Sequence, residues 1–236
     1  MLISKNSINM CGASIDSQDV GDEINGPSII IASRYNGRAV LHGSAFLYKE
    51  KAYLVIAFPG VGKSTLTTAM SKHRRDVSFI TDDIICVSKE GTTIYRGIHG
   101  VNLNSDSLNQ LFPDKENHKG EFFKRSVDEP KTFCLGDTWG KVSANNSFKI
   151  GGVFFLQHPL ATGLIHFEKL NKFDFLCELI KNIKLKGLMP QSVMLQEMNI
   201  LDKISKSVFA TKIQMIHDYT KLKSVEDAIV GFIDEQ

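Results

Sequence analysis

Little in this sequence points to the cell exterior or to a membrane. Only four cysteines occur in 236 residues, at Cys11, Cys86, Cys134 and Cys177, and no two form a CxxC pair. Their scatter argues against a zinc site and a disulfide framework and fits a reducing cytoplasm, so a cytoplasmic protein is expected. No apolar run approaches the ~20 residues needed to cross a bilayer. The opening stretch MLISKNSINMCGASIDSQDVG carries polar groups through its middle, where a signal peptide needs an apolar core. An excess of either charge is also missing. Lys and Arg total 28 against 26 Asp and Glu, a net charge of +2, which implies neither a nucleic-acid partner nor a membrane surface. The densest basic cluster, Lys72-His73-Arg74-Arg75, falls where a helix should end and reads as a solvated C-terminus. Internal repeats, low-complexity tracts and linkers are absent too. What remains, 42% hydrophobic and 23% charged residues, is ordinary for a globular chain.

Patterning along the chain mixes strands and helices. PSIIIAS reads as a short strand, and GRAVLHGSAFLYKEKAYLVIA as three strands with tight connections, the last over 53–57. Residues 64–73 suit a helix that gathers Leu66, Ala69 and Met70 on one face. VSFITDDIICVSKEGTTIYR reads as a strand ending in two aspartates, then a hairpin turning near Glu90-Gly91. SDSLNQLF is a short helix capped by Ser105 or Asp106 and stopped by Pro113. Residues 114–131 are polar without a clean period and predict a mobile loop or lid. KIGGVFFLQHP is a second buried strand. KFDFLCELIKNI sets Phe173, Leu176, Ile180 and Ile183 at helical spacing, and 191–208 is helical. KIQMIH alternates as a strand, and SVEDAIVGFI closes the chain as a helix capped by Ser224. The economical sum is one α/β domain over 28–236, behind an N-terminal extension over 1–27. The first ~35 residues are too few to fold alone.

The chemistry starts at YLVIAFPGVGKSTLTTAM. A buried strand stops at Ala57, and Phe58-Pro59-Gly60-Val61-Gly62 leads through Lys63, Ser64 and Thr65 into a helix. This is GxxxxGK[ST] with Ala57 in the first glycine's place. Glycines let a loop turn backbone N–H groups toward one point, and a helix starting there adds its unpaired N–H groups and positive end. Together they cradle a polyphosphate, with Lys63 reaching the β- and γ-phosphates and the Ser64 hydroxyl completing a Mg²⁺ shell. Pro59 to Thr65 are therefore the expected nucleotide-binding residues. Asp82 and Asp83 stand nineteen and twenty residues after Lys63, at a strand end where a carboxylate for Mg²⁺ is expected. Neighbours there point in different directions, so one can serve the metal while the other faces an acceptor hydroxyl. His42-Gly43 stands twenty-one residues before Lys63; alone, such a histidine is more often structural.

His-Gly in a strand, strand–GVGKS–helix, then a strand closing in Asp-Asp, in this order and spacing, resembles the catalytic domain of HPr serine kinase/phosphorylase over about residues 38–100. The resemblance implies an α/β fold: an HPr-kinase-like P-loop core with a mixed sheet flanked by helices. It implies ATP and Mg²⁺ as cofactors. It implies Asp82 as the base for a serine hydroxyl, Asp83 beside the metal or its water, His42 near the γ-phosphate, and Lys63 and Ser64 on phosphates and metal. Lys124 and Arg125 would close over the transferring group, or form a solvated surface pair. Two departures matter. Phe58-Pro59 replaces the family's Asp-Ser, and TTIYRGIHG offers Ile94 or Tyr95 where bifunctional members carry a glutamate. The second weakens the case for a phosphate-removing activity. The chain looks like a catalytic-domain-only relative, similar to kinases of lasso-peptide precursors.

The expected reaction is phosphoryl transfer from ATP to a serine hydroxyl of a peptide or small protein. Transfer to free serine or another small hydroxy compound, and ATP hydrolysis in a regulatory or assembly role, are the alternatives. Full-length family members form hexamers, so a homo-oligomer is an open expectation. His99, Trp139 and the CLGDTWG stretch carry no assigned role; a glycine-bounded turn is the default for the last.

Overall fold

A computed structural model describes residues 2–3, 8–9, 24–97, 100–114, 122–124, 131–135, 145–157, 165–184, 190–215 and 218–236. The short strands β1 (Leu2–Ile3) and β2 (Ile8–Asn9) pair with each other. A π-turn over Ile24–Ser28 then runs into helix α1 (Ile29–Tyr35). This is the segment whose isoleucines predict a strand. The helix wins because it buries Ile30, Ser33 and Arg34 against the sheet, and such tertiary packing overrides the preference of β-branched residues for strands.

Three strands follow as expected: β3 (Ala39–Leu41), β4 (Ser44–Tyr48) and β5 (Lys51–Ile56). β4 and β5 form a hairpin through Lys49-Glu50, both at positive φ (46° and 62°), the twist that a two-residue turn demands. Helix α2 (Lys63–His73) leads to β6 (Val77–Thr81), β7 (Ile85–Val87) and β8 (Thr93–Tyr95). β12 (Ser147–Leu156), β13 (His166–Lys169) and β14 (Phe209–Gln214) complete the main sheet. Its order is β3-β7-β8-β12-β5-β4-β6, with β14 on β12 and β13 on β14. β5, β12 and β14 run parallel and the other pairs antiparallel, so the sheet is mixed.

β12 is the spine. Lys149 pairs with both Lys51 and Thr93, and Gly152 with both Tyr53 and Phe209. One edge therefore carries β5, and the other carries β8 and then β14. Gly151-Gly152 makes this branching possible: a Cβ on Gly152 would enter the Phe209 ring, and one on Gly151 would meet Tyr53 and Lys51.

Both faces of β5 are covered, which is why its sequence is an unbroken apolar run. Ala52, Leu54 and Ile56 face a core closed by helices α4 (Lys172–Lys181) and α5 (Gln191–Ser207), through Phe175, Leu179, Ile200, Leu201 and Ile204. Tyr53, Val55 and Ala57 face the opposite core, where Leu66 and Met70 of α2 meet Val225 and Ile229 of the last helix, α6 (Leu222–Asp234). In α4 the buried face is Phe175 and Leu179, with Leu176, Ile180 and Ile183 partly buried. Phe173 is instead 74% exposed, so the expected stripe is rotated by part of a turn.

A smaller antiparallel sheet joins β9 (Gly100–Asn104), β11 (Lys131–Leu135) and β10 (Phe122–Lys124). Part of the expected 114–131 loop is thus strand; 115–121 and 125–130 lie outside the described residues. Helix α3 (Ser105–Leu111) is capped by Asn104, whose side chain accepts from Ser107 N–H, one residue before the expected cap. α6 begins two residues before Ser224, after a 3-10 turn over Tyr219–Lys221 capped by Asp218. Among the described residues, no helix is long and apolar enough to cross a membrane.

Candidate functional site: a glycine loop, two adjacent aspartates and two cavities

The loop from Ala57 to Ser64 leaves the C-terminal end of β5 and enters α2. Gly60 and Gly62 sit at φ +84° and +105°, which side chains resist, and nothing lies within 4 Å of where a Cβ of Gly60 would be. Gly62 is the N-cap of α2, and no side chain caps the helix there. The first turn of a helix carries N–H groups without intrahelical partners, a position that suits an anion. Lys63 is buried in the first turn. The two hydroxyls after it diverge. Ser64 Oγ donates to Asp82 Oδ1 (2.9 Å), and Thr65 Oγ1 bonds Ser107 Oγ (2.8 Å), which bonds Tyr219 Oη (3.0 Å).

Asp82, just beyond the end of β6, is 5% exposed. Its Oδ1 also accepts from Ser44 Oγ (2.5 Å), and its Oδ2 lies 3.4 Å from the Asn102 N–H. Burial pushes its carboxyl above the usual carboxylate range, with Asp83 adding to the rise. The bonds from Ser44 and Ser64 and the Lys63 charge oppose it. Ser44 is two residues past His42, on the first residue of β4. It is a partner that no motif announces.

Asp83 occupies the left-handed region (φ 66°), and its side chain is 45% exposed. Its Oδ1 lies 2.7 Å from Lys184 Nζ and 3.1 Å from His42 Nδ1. Burial would raise this carboxyl too, but the His42 hydrogen bond and the Lys184 ammonium outweigh it and hold the group far below the usual range. His42 Nδ1 is also 3.1 Å from Lys184 Nζ, so the ring either donates to Asp83 or accepts from Lys184.

Lys184 follows α4, far from any motif. A bridge between Leu41 and Ile183 brings it beside His42. Its N–H donates to Val40 O (3.1 Å), and the His42 N–H to Asn182 O (2.8 Å). The Lys184 carbonyl accepts from Arg34 Nη2. Arg34 in turn pairs with Glu197 (3.0 Å), both almost wholly buried, and Glu197 accepts the Val40 N–H at 2.7 Å. Helix α1, helix α5 and strand β3 thus close a ring around the backbone that carries Lys184.

Two cavities flank the loop. One, about 320 Å³, is lined by loop residues Ala57, Phe58 and Val61, by Ile56, Phe155 and Leu156, and by Gln157, Glu178, Lys181, Asn182, Lys212 and Gln214. The other, about 290 Å³, touches Gly60, Gly62 and Thr65 and is walled by Leu66, Met215, Leu222 and Tyr219, with Asn104, Asp106, Ser107 and Asp218 at its polar side.

Of the residues expected to act together, Lys63, Ser64 and Asp82 are assembled at the loop, and His42 and Asp83 form the adjoining cluster. Arg125, His99 and Trp139 lie outside the described residues, and of Lys124 only the backbone position in β10 is described. Among the described residues, no group of three or more His, Cys, Asp or Glu could hold a metal ion. A Ser64 hydroxyl with one carboxylate is, however, a donor set that suits Mg²⁺, which keeps water and phosphate oxygens as its other ligands.

No family model matches the chain, and no curated protein matches it. Among solved structures, the Hpr(Ser) kinase/phosphatase from Coxiella burnetii is similar over 82% of this chain and 95% of that one, at 13% identity and a TM-score of 0.37.

Proposed function

We propose that this protein is an ATP-dependent kinase that transfers the γ-phosphate to a serine hydroxyl of a peptide or small protein. The observation that carries the reading is the pair of aspartates at the loop. One is buried against the Ser64 hydroxyl; the other is partly exposed, ionised and braced by His42 and Lys184. The first suits the nucleotide's metal, and the second offers the ionised, solvent-reached acceptor that an incoming hydroxyl needs.

On this reading the aspartates exchange the roles that the sequence suggests. Asp82 is buried and its Oδ1 already accepts two hydroxyls, so it presents no open face to an alcohol. It would stand with Ser64 on the metal side, where Mg²⁺, when bound, neutralises the phosphates. Asp83 takes the acceptor side. Its low proton affinity makes it a weak base early in the reaction. Its first task is to orient the hydroxyl by accepting its hydrogen bond. The proton moves late, once the serine oxygen is bonding to phosphorus and has become acidic. The new O–P bond forms as the bond from Pγ to the bridging oxygen breaks, and ADP leaves. Lys63 and the α2 N–H groups offset charge on the phosphates. Thr65, turned toward Ser107 and Tyr219, directs the nucleoside toward the second cavity. There the apolar wall suits a base, and Asp106 and Asp218 suit ribose hydroxyls.

The test is label transfer from γ-labelled ATP with Mg²⁺ to a panel of serine peptides and to free serine. Label on peptide serine is the expected result, and Lys63→Met abolishes it. Label on free serine alone would make this a small-molecule kinase, and label only as free phosphate would make it an ATPase.

A further inference from the structure

The 320 Å³ cavity has no role in nucleotide binding as described above. Its floor is apolar, from Ile56, Val61, Phe155 and Leu156. Phe58, a residue of the loop itself, stands at its side and is 59% exposed. A single exposed ring is unremarkable on a surface, but here it extends an apolar floor beside a phosphate loop. Lys212 enters the same space from β14. Its side chain is only 21% exposed, and its ammonium lies 3.9 Å from Glu178 Oε1, beyond hydrogen-bond reach. That oxygen already takes Lys181 at 2.9 Å. Among the described residues the Lys212 ammonium makes no hydrogen bond and no closer ion pair, so a cation lines an apolar floor with only this loose partner.

The cavity is also tied to the Asp83 cluster through the backbone of one lining residue. Asn182 lines it and receives the His42 N–H through its carbonyl, and two residues later Lys184 holds Asp83. The opposite cavity has the contrary charge, with Asp106 and Asp218, and would repel an anion.

We propose that this cavity is the acceptor subsite, and that it selects a hydroxyl compound bearing a carboxylate, held by Lys212, and an apolar group that covers Phe58. The inference rests on the kinase reading and sharpens its substrate. The carboxylate belongs either to an acidic residue beside the serine of a peptide or to a small hydroxy acid; the chemistry recognised is the same.

The probes are a C-terminally amidated peptide with an apolar residue before serine and glutamate after it, its glutamine counterpart, an N-acyl serine and the N-acyl serine amide. Direct binding to the intact chain is measured by calorimetry with a non-hydrolysable ATP analogue and Mg²⁺ present, for the unaltered protein, Lys212→Gln and Lys212→Arg. At least one carboxylate probe should bind tenfold or more tightly than its amide. Lys212→Gln should erase that preference, Lys212→Arg should keep it, and nucleotide affinity should not move. Which pair shows the preference identifies the source of the carboxylate. Equal binding of acid and amide forms, a preference that survives Lys212→Gln, or a loss of nucleotide affinity in that variant would each overturn the proposal. Failure of the kinase reading shows separately, as absence of nucleotide binding and of label transfer to every probe, since the binding arm needs no turnover.

Discussion

Asp82 and Asp83 are covalent neighbours with opposite surroundings. Around Asp82 the chain supplies two hydroxyls, a distant N–H and little solvent, and the carboxyl is pushed toward holding its proton. Around Asp83 it supplies an imidazole and an ammonium, and the carboxyl is kept ionised. One residue of left-handed backbone separates the two environments. The difference teaches that two identical neighbours can be driven to opposite proton affinities when the backbone turns them apart and each recruits its own partners.

The sharpest way to break the comparison is Asp83→Asn. Removing the acceptor-side carboxylate should lower transfer by about 10²- to 10⁴-fold, the usual worth of a positioned base. Affinity for Mg²⁺ and nucleotide should be retained. If Asp83→Asn keeps near-normal transfer, the assignment fails. Asp82→Asn should do the reverse. It should weaken the Mg²⁺ dependence of nucleotide binding by about 10- to 100-fold, as loss of a group that orients a metal ligand does. Because the Asp82 carboxyl is raised on folding, its contribution to stability is present at low pH and lost as pH rises through its folded value. The uncharged variant should therefore melt higher than the parent at neutral pH without nucleotide. Lys184→Met should have the smallest effect on rate at neutral pH and the clearest one in a pH profile. Asp83 is depressed on folding, so it stays ionised down to strongly acid pH. Without the ammonium its proton affinity rises, and the acid limb of transfer moves upward in pH. An unchanged limb would mean that Lys184 does not act through Asp83.

Much of this was legible in the residues, and the losses have physical reasons. Strand, loop and α2 follow from an apolar run, two glycines and a 3.6-residue pattern, all of them local signals. Asp82 and Asp83 were visible as a pair, but their division was not, since it depends on which hydroxyls and cations the fold brings near. Ser44 and Lys184 carry no motif; they reach the site through the β4–β6 pairing and the Leu41–Ile183 bridge, contacts made across long stretches of chain. Helix α1 is not legible because three isoleucines favour a strand locally, while Arg34 finds its carboxylate partner 163 residues away.

That last pairing makes α1 a support of the Asp83 cluster. The circuit Arg34–Glu197–Val40–Lys184 ties helix α1 to the cluster of His42, Asp83 and Lys184. A lesion in α1, remote from the glycine turn in sequence, would leave that turn standing and still slacken the hold of Lys184 on Asp83. A truncation that keeps this cluster intact must therefore begin ahead of α1.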